Sequence, residues 1–132
     1  GLPMRHLALI LSDDLDRLAD IQQAVHKAGF SANCASEVAV ARSLVARYAD
    51  DYHVVVVDGK MLKDDLKGFV RGVRGNAPKS RVLILLEESM KYEAGDPFVT
   101  AVEYSQALDL LPRLKREVTR YRSSPVNKSE AG

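Results

Sequence analysis

The chain has 132 residues, 46% hydrophobic and 28% charged, with a formal net charge of +1. That length suits one domain with a real core, and near-neutrality removes any global field toward nucleic acid or a membrane surface. A single cysteine, Cys34, leaves no disulfide and no cysteine-based metal cluster, and no apolar run reaches the ~20 residues of a membrane span. No secretory leader is visible, so a reducing, cytoplasmic setting is expected. Gly1-Leu2-Pro3 precedes Met4 and is left out of the fold reading.

Leu7-Ala8-Leu9-Ile10-Leu11 is a short continuous apolar run and predicts the first strand. It breaks at Ser12-Asp13-Asp14, where Asp14 is an N-cap candidate and Asp16 suits a first helical turn. Leu15, Leu18, Ile21, Val25 and Ala28 recur at helical spacing, and Gly29 closes that helix. Residues 30–35 predict a weakly apolar edge strand, with Cys34 as a small core residue. Ser36 caps a second helix carrying Val38, Ala41, Leu44, Val45 and Tyr48 on one face.

His53-Val54-Val55-Val56-Val57-Asp58 is the most informative stretch. Its β-branched run predicts a strand buried on both faces, in the middle of a parallel sheet. The run ends in an acid followed by Gly59. Taken alone, Asp-Gly is an ordinary turn. A carboxylate at the carboxyl end of a central parallel strand also stands where open α/β sheets place their sites.

Residues 59–65 read as a polar loop, and Leu66, Phe69, Val70 and Val73 face inward on a third helix weakened by Gly72 and Gly75. Arg81-Val82-Leu83-Ile84-Leu85-Leu86 predicts a fourth strand, again buried on both faces. Residues 87–95 have room for at most about two turns of helix. Residues 98–102 predict a fifth strand. A fifth helix from Ser105 carries Leu108, Leu111, Leu114, Val118 and Tyr121, with Pro112 kinking it or delaying its start to about Asp109. Residues 123–132 read as a polar tail or linker behind a domain spanning 4–122. Strands alternating with helices demand right-handed crossovers and a parallel sheet, so the expected class is α/β.

An acid pair follows the first strand and a single acid ends the third. From about Met4 to Arg122 the chain resembles the receiver domain of bacterial response regulators. That family is CheY-like, with a flavodoxin-like doubly wound fold: five parallel strands in the order 2-1-3-4-5 and helices on both faces. The resemblance implies that acids ending strand one hold Mg²⁺ and that the strand-three Asp is phosphorylated by a histidine kinase. It further implies a Thr or Ser ending strand four and a Lys ending strand five, both binding the phosphoryl group. On this resemblance Asp58 takes the phosphoacceptor position. Asp13 takes the main metal-ligand position, giving with Asp58 a weak Mg²⁺ site. Ser12 replaces the other acid, Leu86 the hydroxyl residue, Val102 the Lys and Val99 the aromatic switch residue. Glu87 stands where the family usually has a small residue, the fourth helix is shortened by more than a turn, and the family's Gly after strand three appears late, as Gly68.

Phosphoryl transfer to a carboxylate rests on positioning and charge neutralisation. A phosphoryl group on Asp58 would instead meet Glu87, a repulsion on the order of 4 kcal/mol at ~4 Å and an effective dielectric near 20. Lys60 and Lys63 are the loop cations that could swing toward it. The expected function is therefore an atypical receiver-like signalling module, a pseudo-receiver acting through protein–protein contact, with no cofactor required and Mg²⁺ optional. Two alternatives stand beside it: a working receiver phosphorylated on Asp58, and a small-ligand-binding flavodoxin-like domain.

An enzyme is not expected. Ser12-Asp13-Asp14 is anionic and has no glycine to cradle a phosphate, and Lys60 stands where a haloacid-dehalogenase-like phosphatase carries a second Asp. The expected partners are a second copy of the chain, a histidine kinase or a downstream effector domain, with no membrane or direct nucleic-acid contact. The dimer would use strand five and helix five, left partly uncovered by the short fourth helix, with Tyr104, Leu108 and Leu111 as contacts. Two basic runs, over 60–81 and 113–122, read first as solvated faces. His6, His26 and His53 are scattered and predict no metal triad.

Overall fold

The computed structural model describes residues 6–111. Strands β1 (His6–Leu11), β2 (Phe30–Ala35), β3 (Val54–Asp58), β4 (Arg81–Leu86) and β5 (Val99–Glu103) form one sheet in the order β2-β1-β3-β4-β5. Every adjacent pair is parallel. Helices α1 (Leu15–Lys27), α2 (Val38–Tyr48) and α4 (Leu66–Asn76) cross between strands, with a single turn, α3 (Gly59–Leu62), directly after β3. A fifth helix, α5, runs over 104–111. This is the expected doubly wound topology.

The pleat sorts the strand residues into two layers. Leu9, Leu11, Val55, Val57, Ile84 and Leu86 share one cluster with Ala41 and Val45 of α2 and Phe69 and Val73 of α4. Ala8, Ile10, Val54, Val56, Leu83 and Leu85 face the other way, onto Ile21 and Val25 of α1 and Ala107 and Leu111 of α5. All four valines of β3 are fully buried. Burying a side chain of that size is worth ~1.5–3 kcal/mol, so this strand anchors both layers.

Asp14 caps α1 as expected, its carboxylate accepting from the amides of Asp16 and Arg17. Gly29, at φ 94°, supplies the left-handed residue after that helix. Other expectations need correction. Leu15, assigned to the inward stripe, is 74% exposed, and Tyr48 of α2 is also exposed. Glu37, not Ser36, occupies the α2 N-cap and makes no side-chain cap bond. Cys34 is exposed, not core. β2 is an edge strand that buries only its ends, Phe30 and Ala35. The expected polar loop over 59–65 is wound into α3 and a 3-10 turn, Lys63–Asp65, with Lys63 at φ 44°. His6 and His53 are not scattered in space. Their rings stack at 5.0 Å, and His53 Nδ1 accepts from the Leu7 amide.

The largest departure is the shortened fourth helix, which is absent: no helix forms over 87–98. Met90 and Tyr92 pack against the core from this segment, at the two-residue spacing of extended chain. Local helix propensity loses to that packing. β5 begins at Val99 rather than Phe98, and α5 is already helical at 104, so Pro112 does not delay its start. Pro112 itself, Leu114, Val118, Tyr121, the second basic run and the polar tail lie outside the described residues. Among the described residues no helix is long and apolar enough to cross a membrane.

Candidate functional site

The site gathers at the carboxyl ends of β1, β3 and β4. Asp58 closes β3 and is fully buried. It also caps α3, with Oδ1 accepting from the Lys60 amide at 3.3 Å. Gly59 is obligatory beside it, since a Cβ there would meet the Leu85 carbonyl oxygen of β4 at 2.7 Å. Ser12, fully buried after β1, donates its hydroxyl to Asp58 Oδ2 at 2.8 Å. A hydroxyl in this position satisfies the carboxylate where a second acid would repel it.

The cation of the site comes from α1. Arg17 is three residues past the N-cap, so its side chain lies over the strand ends. Nη1 donates to Asp58 Oδ1 at 3.1 Å. Nη2 donates to both oxygens of Glu87, at 2.9 and 3.0 Å. The guanidinium carbon lies 4.0 Å from the centre of the ring of Tyr104, at the start of α5. Asp14 Oδ2, 3.9 Å from Nε, adds a weaker attraction. Arg17 is only 16% exposed. Burial works against its charge, but the Glu87 bond and the charges of Asp58 and Glu87 outweigh it, and the guanidinium is held more basic than usual. The Tyr104 phenol is pushed up, first by burial and then by Asp20, with Arg17 opposing.

The sequence-predicted positions therefore divide. Ser12, Asp58 and Glu87 come together, with Glu87 drawn in as a ligand of Arg17 rather than left as an unscreened repulsion. Leu86 is buried in one core layer, and Val102 packs against the other. Val99 is buried. Lys60 contributes its amide and not its ammonium, and neither Lys60 nor Lys63 supplies the missing cation. Of the three interface residues, Leu111 is 1% exposed and belongs to the core, Leu108 is exposed, and Tyr104 is spent on Arg17. Arg17 escaped the sequence reading. Its signal was a cation three residues after a helix N-cap, where the macrodipole favours an acid.

The resemblance implies Mg²⁺, and the residues present do not fit it. Asp13 is exposed and makes no bond to Asp58. Asp14 is engaged as a helix cap. Both oxygens of Asp58 are taken by Arg17, Lys60 and Ser12. Among the described residues no group of three or more His, Cys, Asp or Glu is placed to hold a metal.

No protein-family profile matches the chain, and no curated protein matches it significantly. Solved structures match over nearly its whole length. A response-regulator receiver domain protein from Bacillus halodurans C-125 superposes with TM-score 0.73 at 11% identity, covering 86% of this chain and 97% of that one. A response-regulator receiver protein from Sinorhizobium medicae WSM419 gives TM-score 0.67 at 18% identity, covering 86% and 97%. The signal receiver domain of an HD domain-containing protein from Pseudomonas fluorescens Pf-5 gives 0.65 at 13%, covering 94% and 96%. The chain has the fold of the response-regulator receiver domains.

Proposed function

We propose that this chain is a receiver-fold signalling module whose phosphorylation switch is disabled and which acts through protein–protein contact. The observation that supports it is the Arg17 guanidinium bonded to both Asp58 and Glu87, with Asp58 fully buried. A working phosphoacceptor carboxylate needs a free oxygen lone pair, an open in-line approach and an exchangeable counter-charge. Asp58 has none of these to spare. Its cation is an arginine, which stays protonated at every physiological pH and is tethered to α1. No catalytic role and no cofactor enter this reading.

Output would then depend on surfaces fixed by the fold, with the edge of β5 and the exposed Leu108 of α5 as the face for a second copy or an effector domain. The direct test is acetyl phosphate with Mg²⁺, read by intact-mass spectrometry against Asp58→Asn. The expected result is no adduct. A stable phosphoryl adduct on Asp58 would return the chain to the working receivers, with Arg17 as a phosphate ligand.

A further inference from the structure

The missing helix over 87–98 leaves a groove whose α4 wall is basic and whose facing wall carries Glu93 and Asp96. A cavity of about 350 Å³ lies between α4 and the chain over 92–96, lined by Lys67, Val70, Arg71, Arg74, Tyr92 and Val99 among others. Helix α4 carries Lys67, Arg71 and Arg74 and no acid. Like charges four apart weaken an isolated helix by ~0.2–0.5 kcal/mol, so nothing in α4 itself favours the arrangement.

Arg74 is committed. Its Nε donates to Asp96 at 2.6 Å, Nη1 donates to the Pro78 carbonyl at 2.7 Å, and its guanidinium stacks 4.5 Å from the Phe98 ring centre. It pins the far wall of the groove. Lys67 and Arg71 are exposed and make no ion pair among the described residues. Tyr92 packs against the core beside them, and burial pushes its phenol up, with Arg71 opposing.

The facing wall is neither helix nor strand over 91–95. The backbone over 91–95 makes no hydrogen bond to another described residue. Nothing lies within 4 Å of where a Cβ would stand on Gly95, so that backbone is open to approach. Spacing then selects the occupant. Four helical residues rise ~6 Å, which separates Lys67 from Arg71 along α4. Side chains two apart on an extended strand are separated by ~6.8 Å.

We propose that this groove binds an extended acidic peptide segment of a partner protein, carrying Asp or Glu at every second position. Its alternate carboxylates meet Lys67 and Arg71, and its main chain pairs with the open backbone over 91–95. Strand addition of this kind takes affinity from the main chain and specificity from alternate side chains. A polyphosphate or nucleic acid suits the groove less well. It would have no use for the open amides and carbonyls.

The experiment uses a short fluorescent peptide alternating Glu and Thr, titrated with the chain by anisotropy at low salt. A Lys–Thr peptide, inorganic tripolyphosphate and duplex DNA serve as competitors. Saturable binding is expected. It should weaken by about tenfold in Lys67→Glu and in Arg71→Glu, fall with added salt and be displaced by none of the competitors. Amide NMR shifts should concentrate at residues 91–95. Both substituted residues are exposed, and circular dichroism confirms folding. No binding, binding indifferent to the two charge reversals, shifts away from 91–95, or displacement by tripolyphosphate or DNA would overturn the assignment. None of these outcomes bears on the state of Asp58.

Discussion

Arg17 and Asp58 are forty-one positions apart, yet the guanidinium of one bonds the buried carboxylate of the other at 3.1 Å. The same guanidinium holds Glu87 at 2.9 Å. One residue of α1 thus ties together the ends of β3 and β4, against the ring of Tyr104 at the start of α5. Removing it strands a fully buried carboxylate beside a second acid. Arg17→Met is expected to lower stability by about 2–4 kcal/mol, toward the low side of buried-pair losses because Glu87 can turn to solvent. Urea unfolding measures this. In a double-mutant cycle with Asp58→Asn, the coupling should be about 1–3 kcal/mol. Coupling near zero would mean that the bridge holds nothing.

The sequence made the sheet legible because its signals were strong and local. The run Val54 to Val57 has no other stable home than a strand covered on both faces. The alternation of strands with periodic helices then left one sheet order consistent with the resemblance. Asp58 and Glu87 were legible as positions, since each ends such a strand. Arg17 was not, because it looks like any polar residue on the outer stripe of an amphipathic helix. Its meaning depends on two acids 41 and 70 residues away. Residues 87–98 misled for the opposite reason. Glu, Met, Lys and Ala favour helix locally, while Met90 and Tyr92 are both claimed by the core, at a spacing that a helix does not bring to one face. Cys34 and Tyr48 were misplaced because residue type alone does not reveal which side of an edge strand or helix is left bare.

Two glycines should respond oppositely to alanine. Gly59 stands with the Leu85 carbonyl oxygen 2.7 Å from any added Cβ, and a backbone atom in a central strand cannot move aside. Gly59→Ala should destabilise by about 1–3 kcal/mol or more. Gly68 lies in α4 with nothing within 4 Å of the built Cβ. Gly68→Ala should stabilise by about 0.5–1 kcal/mol through helix propensity and a less flexible unfolded chain. Thermal melts of the two variants check both signs together. A stable Gly59→Ala would show that the turn after β3 has room to relax.

Asp96 gives the protein an acid-sensitive contact away from the Asp58 site. The Arg74 bond, then the Phe98 amide, hold its carboxyl below the usual value of 3.8, with burial opposing only weakly. A group depressed in the folded state contributes stability that is complete above the unfolded value. That stability is lost as pH falls through the folded value. Asp96→Asn should therefore lower the urea midpoint at neutral pH and flatten the stability curve below about pH 4. The size is modest, because the side chain is 36% exposed and solvent screens the pair. A variant that keeps the wild-type slope in acid would assign that slope to other carboxylates.

The arrangement around Arg17 also sets the response to divalent ions. In the native chain the guanidinium neutralises Asp58 and Glu87 together, and Ser12 takes the remaining Asp58 oxygen. Mg²⁺ would have to displace a tethered cation to gain one or two carboxylates, the number it ordinarily takes from a protein. Added MgCl₂ should therefore leave the thermal midpoint of the native chain where an equal ionic strength of NaCl leaves it. Arg17→Ala removes the competing cation and frees both acids. In that variant Mg²⁺ should raise the midpoint beyond the NaCl control, since a ligand bound only to the folded state stabilises it by mass action. The further change Asp58→Asn should abolish the Mg²⁺-specific part. If the native chain is itself stabilised by Mg²⁺, Arg17 yields to the ion and is no lock. If Arg17→Ala shows no Mg²⁺ response, then Asp58 and Glu87 are held together only by Arg17, and the site has lost the ligand geometry of a metal-binding receiver as well as its opening.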